Sequence, residues 1–262
     1  QYLGNPRTEN GPQDRMNGSF LGPEYSDEAI QSYLDKHRIV YRKLGSDEIP
    51  EVIADLIAQG KVIGWFSGRM EFGPRALGAR SILGDARSER MQEIMNVKIK
   101  FRESFRPFAP SVTEENVSDY FELEAKSPYM LLVTKVRGSI RREMTAPEKD
   151  LFGIEKLKAV RSSIPAVTHV DYSARVQTVD KKTNPLYHQV IKRFGEKYGC
   201  PVIINTSFNV RGEPPVCRPE EAYRCFMRTD MDHLLMNGYL LDKKSQQPFD
   251  GNEGRIKKFE LD

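Results

Sequence analysis

The chain has 262 residues, of which 39% are hydrophobic and 29% are charged, and a chain of this length buries about three quarters of its unfolded surface in one large domain or two small ones. Its formal net charge of +3 is too small to indicate a general nucleic-acid binder, and no apolar run approaches the ~20 residues that span a bilayer. The three cysteines lack the spacing of a disulfide framework or a structural zinc site, so we predict a cytoplasmic protein.

Helix and strand signals alternate along most of the chain. Residues 1–20 are polar, rich in turn formers and start on Gln, which is typical of a linker from a missing N-terminal domain. Capping residues, glycine stops and apolar periodicity define the elements that follow. In chain order we predict a helix over 26–37, a helix over 46–60, a strand over 61–67, a strand over 81–85, a helix over 88–95, an edge or interrupted strand over 107–112, a strand over 129–136, a surface helix within 139–163, strands over 166–170 and 174–179, a helix over 184–198, a strand over 201–204, a helix over 219–227 and a last strand over 233–236. This alternation predicts an α/β sheet with functional loops at strand ends.

A loop rich in arginine and glycine follows the strand over 61–67. Residues 69–81 contain Arg69, Arg75 and Arg80, and the glycines among them let the backbone approach a ligand closely. Each guanidinium offers a rigid fork of donors to phosphate or carboxylate. Between positions 69 and 106 the chain carries nine Lys/Arg and five Asp/Glu, a local charge of +4. The loop therefore predicts a site for a small anion, with a solvated basic turn as the alternative.

Three further clusters carry polar groups in patterns that could serve ligand binding. In 96–108, lysines and arginines alternate with apolar residues, which in extended chain would place the cations on one face, toward a phosphate or simply toward solvent. In 173–179, alternation would direct Ser173, Arg175 and Gln177 together, and such groups are costly to bury without partners. The polar residues of 205–209 could supply donors to a phosphate or purine, or serve only as a turn.

Other reaction classes find no support in the sequence. It contains neither the P-loop nor the dinucleotide-binding glycine pattern, and no nucleophile elbow. The four histidines lack zinc spacing, and we predict no metal site in this chain. We interpret His169 as a hydrogen-bonded core histidine on an apolar strand rather than a ligand.

The four clusters together, in this order, resemble the C-terminal domain of the NodU/antibiotic O-carbamoyltransferase family. The resemblance covers residues 21 to 241 and rests on an ordered set of motifs. These are Leu21-Gly-Pro-Glu-Tyr-Ser26, Glu71-Phe-Gly-Pro-Arg-Ala-Leu-Gly78, residues 96–111, Ala166-Val-Thr-His-Val-Asp171, Ala174-Arg-Val-Gln-Thr-Val179 and Asn205-Thr-Ser-Phe-Asn209. It implies an open twisted mixed sheet with flanking helices, similar to the YrdC-like fold, over residues 21–245, followed by a polar tail over 246–262.

The resemblance also implies a reaction. Domains of this family form carbamoyl adenylate from carbamoyl phosphate and ATP with Mg²⁺, and a separate N-terminal domain of the actin/sugar-kinase type, with its own metal, transfers the carbamoyl group to an acceptor hydroxyl. The matching positions predict Arg75, Lys100 and Arg106 as catalytic residues. Residues that bind the substrates are predicted at Arg175, Asn205 and Ser207, with Arg80 and Arg102 as further candidates.

One position departs from the family pattern. Tyr172-Ser173 stands where the family has Gly-Thr or Gly-Ser, so Tyr172 either narrows the pocket or points to solvent. Two alternative functions stay open: an RNA-binding module, which the modest net charge disfavours, and a nucleotide-binding domain without turnover. We expect small-molecule substrates and no membrane partner.

Overall fold

The computed structural model describes residues 16–248, and its centre is one open mixed sheet of nine strands. The strands are β1 (Arg42–Lys43), β2 (Ile63–Phe66), β3 (Arg80–Asp85), β4 (Ala109–Thr113), β5 (Leu132–Lys135), β6 (Ser173–Val179), β7 (Val202–Ser207), β8 (His233–Met236) and β9 (Tyr239–Asp242). Their order across the sheet is β1-β9-β8-β2-β3-β7-β4-β6-β5. The β2–β8 and β4–β6 pairs are parallel and the other pairs are antiparallel.

Helices flank this sheet. They are α1 (Asp27–Lys36), α2 (Glu48–Ala58), α3 (Met91–Ile94), which continues into a π-helical turn (Met95–Ile99), α4 (Val117–Tyr120), α5 (Ala146–Lys149), α6 (Pro185–Tyr198) and α7 (Pro219–Arg228). The longest, α6, starts with proline in its first turn and ends at Gly199, whose φ of 73° terminates it. It packs against α2. None of the helices in the described ranges is long and apolar enough to cross a bilayer.

The predicted architecture of an open mixed sheet with flanking helices is confirmed. The long helices and the central strands lie close to their predicted positions, because their caps and apolar periodicity are local properties of the chain. Two predictions about strands were wrong. Residues 166–170 form no strand and instead include the 3₁₀ turn Pro165–Val167. The strand over 107–112 is not an edge, since β4 lies between β7 and β6.

Pro110 explains the second error. Proline cannot donate to a ladder and is usually confined to sheet edges. In this sheet the pairing of β4 with β6 begins at Ser111, one residue after the proline, so the missing N–H is tolerated in an interior strand. The strands β1 and β9 were not predicted at all; β9 forms a tight hairpin with β8, in which Asn237 has a φ of 49°.

The segment 96–108 is also not extended, as its alternation had suggested. The π-helical turn Met95–Ile99 occupies its start. The burial is the reverse of what the alternation predicts, since Lys100 is buried while the aromatic rings of Phe101 and Phe105 are exposed. The cause is Asn96, a buried side chain whose amide donates to the carbonyl of Ser104 at 3.0 Å. Side-chain to backbone bonds of this kind compete with strand formation.

Candidate anion-binding site

A cavity of about 140 Å³ opens where β4, β6 and β7 meet the arginine loop, residues 69–79. Five of the predicted site residues line it, although they come from four separate segments of the chain. They are Arg75, Arg102, Arg175, Asn205 and Ser207. Phe108 and Met130 form an apolar part of its wall. The sheet therefore brings together residues as far apart in sequence as Arg75 and Ser207.

A buried carboxylate holds the arginine loop in shape. Glu71 Oε1 accepts the backbone N–H of Leu77 and of Ala79, each at 2.7 Å, and its Oε2 accepts that of Arg80 at 3.1 Å. A carboxylate that accepts several backbone N–H groups fixes the path of a loop strongly. We did not single out Glu71 from the sequence, and the only signal there was an acid inside a basic, glycine-rich loop.

A buried amide network joins the loop to the sheet. Gln177 on β6 donates to the carbonyl of Leu77 at 2.8 Å and accepts from Asn205 Nδ2 at 2.8 Å. Its Oε1 also accepts from the hydroxyl of Ser111 on β4 at 2.5 Å. Asn205 Nδ2 in turn donates to the carbonyl of Ala76 at 3.1 Å. On the predicted polar face of β6, the side-chain amide of Gln177 is thus hydrogen-bonded within this network. Arg175, on the same strand, lines the cavity.

The cavity is strongly cationic, and its polar atoms are incompletely paired. The buried Nε atoms of Arg75 and Arg175 and the buried Oδ1 of Asn205 have no hydrogen-bond partner within the described part of the chain. Burial, and then the charge of Arg75, lower the pKa of Arg175. No carboxylate from residues 16–248 lines the cavity. Half-buried cations without a counter-ion repel one another in a partly desolvated site, so an anion of small size would be stabilised here.

Arg102 adds a third cation. Its Nε donates to Asn96 Oδ1 at 2.6 Å, and its guanidinium lies 4.9 Å from the centre of the Phe108 ring. Burial, and then the nearby charge of Arg106, lower the pKa of Arg102 to about 10. Arg102 therefore lines the cavity as Arg75 does, although the family resemblance named it only as a further candidate.

Lys100 lies behind the cavity rather than in its lining. Its Nζ donates to Asn209 Oδ1 at 2.7 Å, to the carbonyl of Asn209 at 3.0 Å, and to both the carbonyl and the hydroxyl oxygen of Ser207. Burial, then the charge of Arg102, lower the pKa of Lys100 to about 7, while its four oxygen acceptors favour the protonated form. Lys100 thus holds the 205–209 loop against the cavity.

Two other predicted residues lie away from the cavity lining. Arg80 is fully buried, donates to the carbonyls of Gly68 at 3.1 Å and Pro23 at 3.3 Å, and packs its guanidinium 3.6 Å from the centre of the Phe66 ring. Arg106 is partly exposed and pairs with Glu103 at 2.9 Å. The structure therefore gives Arg80 a role in packing the loop.

The lining does not fit a metal held by protein ligands. Within residues 16–248 no group of three His, Cys, Asp or Glu side chains is arranged to hold a metal ion. Arginine, amide and hydroxyl groups suit an anion instead. A Mg²⁺ ion would fit this site only as a companion of nucleotide phosphates, and we derive no step through it.

Replacing Glu71 with glutamine is expected to lower the free energy of unfolding by about 2 kcal/mol. The amide side chain lacks the negative charge to which three backbone N–H groups donate hydrogen bonds. Charge-assisted bonds contribute about 1.5–3 kcal/mol each. Urea denaturation would measure the change. Glu89→Gln is the matched control, because Glu89 is exposed and should shift stability by less than about 0.5 kcal/mol. Equal effects of the two variants would contradict the role of Glu71.

Together, fold and cavity define an α/β domain with a compact cationic cavity. The family model described as "Carbamoyltransferase C-terminus" matches residues 54–243. The chain belongs to this family of carbamoyltransferase C-terminal domains.

Several curated proteins are similar to the chain. It is 53% identical to an uncharacterized protein of Synechocystis sp., covering 100% of this chain and 43% of that protein. It is 38% identical to nodulation protein NolO of Bradyrhizobium diazoefficiens over 92% of this chain and 40% of NolO. It is 34% identical to 3'-hydroxymethylcephem-O-carbamoyltransferase of Streptomyces clavuligerus over 70% of this chain and 31% of that enzyme. The chain thus spans less than half the length of these relatives.

One solved structure, full-length HypF in a phosphate- and nucleotide-bound form, is similar over 90% of this chain and 28% of its own, with 17% identity and a TM-score of 0.47. The YrdC-like fold, the boundaries at residues 20 and 245 and the roles of the individual site residues stay predictions. Residues 1–15 and 249–262, which hold most of the predicted linker and tail, lie outside the described residues.

Proposed function

We propose that this chain is the part of an O-carbamoyltransferase that forms carbamoyl adenylate from carbamoyl phosphate and ATP. An N-terminal domain of the actin/sugar-kinase type would then pass the carbamoyl group to an acceptor hydroxyl. Family membership supports carbamoyl transfer as the reaction class. The observation that carries the finer proposal is the cavity, in which Arg75, Arg102 and Arg175 converge and to whose lining the described part of the chain adds no carboxylate.

The cavity offers complementary partners to both ends of carbamoyl phosphate. The free Nε–H groups of Arg75 and Arg175 donate, and so suit phosphate oxygens. The free Oδ1 of Asn205 accepts, and so suits the amino group of the carbamoyl moiety. A volume of about 140 Å³ admits one small anion, whereas pockets for larger ligands measure about 300–1,000 Å³.

The chemistry needs positioning and charge stabilisation more than a protein nucleophile. Water cleaves carbamoyl phosphate to carbamate and inorganic phosphate. A carbamate oxygen then attacks the α-phosphorus of ATP and forms the new P–O bond. The bond from the α-phosphorus to the oxygen that bridges to the β-phosphorus breaks, and pyrophosphate leaves with the electron pair. The arginines balance the charge that gathers on the phosphoryl oxygens.

The decisive experiment is to measure pyrophosphate release from the purified chain with ATP, Mg²⁺ and carbamoyl phosphate, omitting each in turn. Release that needs all three is expected. Replacing carbamoyl phosphate with acetyl phosphate, which lacks the amino group, should abolish it. If ATP binds by calorimetry but no pyrophosphate is released, even after the N-terminal domain is restored, the chain is a nucleotide-binding domain without turnover. Tight, salt-dependent binding of double-stranded RNA without turnover would favour the RNA-binding alternative.

Tyr172→Gly is expected to leave pyrophosphate release unchanged within about twofold. Tyr172 is half-buried, its ring lies 5.4 Å from the guanidinium of Arg141, and it does not line the cavity. Its φ of 63° is a conformation that favours glycine, which accounts for the glycine of the family pattern as a backbone requirement. Steady-state assays of both proteins test this. A rate that rises tenfold in the variant would mean that the tyrosine obstructs the site.

A further inference from the structure

Two backbone carbonyls of the arginine loop fix the orientation of two buried side-chain amides. A carbonyl oxygen can only accept a hydrogen bond, so the end of an amide that contacts it must be the NH₂ group. Gln177 contacts the carbonyl of Leu77 at 2.8 Å, and Asn205 contacts that of Ala76 at 3.1 Å. Both amides therefore present nitrogen to the loop, and neither can turn over without setting two oxygens against each other.

The NH₂ group of Asn205 is fully used within the protein. Its two hydrogens bond to the carbonyl of Ala76 and to Gln177 Oε1, the latter at 2.8 Å. Gln177 Oε1 in turn accepts from the hydroxyl of Ser111, the residue paired with Gln177 on β4. Asn205 Oδ1 is buried without a partner among residues 16–248, and Asn205 lines the anion cavity. Oδ1 is therefore the atom that Asn205 offers to a ligand.

Asn205 Oδ1 differs from the other side-chain oxygens of the cavity. Of the lining residues that the structure describes, Thr206 and Ser207 carry hydroxyl groups, which donate as well as accept. The hydroxyl of Ser207 donates to Asn209 Oδ1 at 2.7 Å. The arginines of the lining only donate. The described lining thus has a single side-chain oxygen that can only accept, and it suits a ligand group that donates.

We propose that Gln177 is a positioning residue that selects the acyl group of the substrate. By holding the NH₂ group of Asn205, it keeps Oδ1 available to accept from the amino group of a carbamoyl moiety. This inference rests on the proposed function, since it takes carbamoyl phosphate as the ligand. Acetyl phosphate has a methyl group at the position of that amino group and carboxy phosphate has an ionised oxygen, and neither group donates. Each would leave Oδ1 buried and unpaired, which a site built around an N–H donor disfavours strongly.

The test compares the calorimetric affinities of the protein for phosphonoacetamide and acetonylphosphonate, without ATP. These phosphonates keep the shapes of carbamoyl and acetyl phosphate, but a methylene group replaces the bridging oxygen, so neither is hydrolysed during the titration. Wild-type protein should bind phosphonoacetamide at least about tenfold more tightly than acetonylphosphonate. Gln177→Met has a side chain of similar length without the amide, so Asn205 keeps only its bond to Ala76. The ratio of the two affinities should fall at least about threefold in this variant.

Further variants separate positioning from support of the fold. Gln177→Glu keeps an acceptor for Asn205, so its affinity ratio should stay within about twofold of the wild type, while its negative charge weakens both phosphonates alike. Thr178→Val is the matched control on the same strand. The hydroxyl of Thr178 is buried, accepts from the backbone N–H of Ser127 at 2.8 Å and does not line the cavity, so this variant should lose stability to urea and keep the wild-type ratio. Gln177→Asn, one methylene shorter, cannot bridge Leu77 and Asn205 and replaces Gln177→Met if that variant does not fold.

The outcomes separate this inference from the proposed function. Equal wild-type affinities for the two phosphonates would overturn this inference alone, because an anion would still occupy the cavity. An unchanged ratio in Gln177→Met, or an equal fall of the ratio in Thr178→Val, would also overturn it, since Gln177 would then only support the fold. Wild-type protein that binds neither phosphonate would overturn the proposed function and this inference with it.

Discussion

Arg75→Ala is expected to lower carbamoyl-phosphate-dependent pyrophosphate release about 100-fold or more while the fold stays intact. Arg75 lines the anion cavity with a buried, unpartnered Nε, so no internal bond of the protein depends on that group. Two charge-assisted bonds to a phosphate, at about 1.5–3 kcal/mol each, correspond to a factor of this size. A coupled pyrophosphate assay measures the rate, and circular dichroism with thermal unfolding checks the fold.

Two companion variants sharpen this prediction. Arg75→Lys keeps the charge but loses the planar fork, so we expect an intermediate loss. Arg90→Ala is the matched control, because Arg90 is exposed and does not line the cavity, and its rate should equal that of the wild type. Wild-type pyrophosphate release from a folded Arg75→Ala protein would refute the assignment of the cavity as the carbamoyl phosphate site.

Gly78→Ala is expected to destabilise the fold by about 3 kcal/mol or more. A Cβ at this position would lie 2.4 Å from a ring carbon of Tyr187, a fully buried side chain. The φ of 102° adds backbone strain for any residue with a side chain. Overpacking and a strained conformation each cost about 1–3 kcal/mol. The carbonyl of Gly78 also accepts from Trp65 Nε1 at 2.9 Å, so the core would be disturbed with it.

The same loop provides the control for this variant. Gly73 has a φ of 131°, yet a Cβ there would meet nothing within 4 Å. Gly73→Ala therefore carries strain without overlap, and the difference between the two variants in chemical denaturation isolates the contact with Tyr187. Similar losses of stability in the two variants would show that strain alone acts at Gly78.

Much of the site could be predicted because its residue types are informative. Arginine forks, small amides and a glycine-rich loop after a buried strand indicate an anion site on chemical grounds, and Arg75, Arg175 and Asn205 do line one cavity. The interpretation of His169 as a hydrogen-bonded side chain agrees with its bond to Ser173. Its position on a strand was wrong, because the run of apolar residues before it belongs to a buried 3₁₀ turn.

The ranking of the cations could not be predicted. In the sequence, Lys100, Arg102 and Arg106 are equivalent members of one alternating run. In the structure the first is buried behind the cavity, the second lines it and the third pairs with an acid outside it. A π-helical turn and the side chain of Asn96 cause this separation, and both oppose the periodicity on which the prediction rested.

The sequence by itself determined the class of fold, the main helices and the chemical character of the site, because caps, apolar periodicity and residue type act over a few neighbouring positions. Only the tertiary structure decided which residues share the cavity. The bond from Gln177 to the carbonyl of Leu77 spans a hundred positions, and the pairing of β4 with β6 and β7 joins segments that lie far apart in the chain. Such contacts depend on the register of strands, which the packing of the whole sheet sets and no local pattern contains.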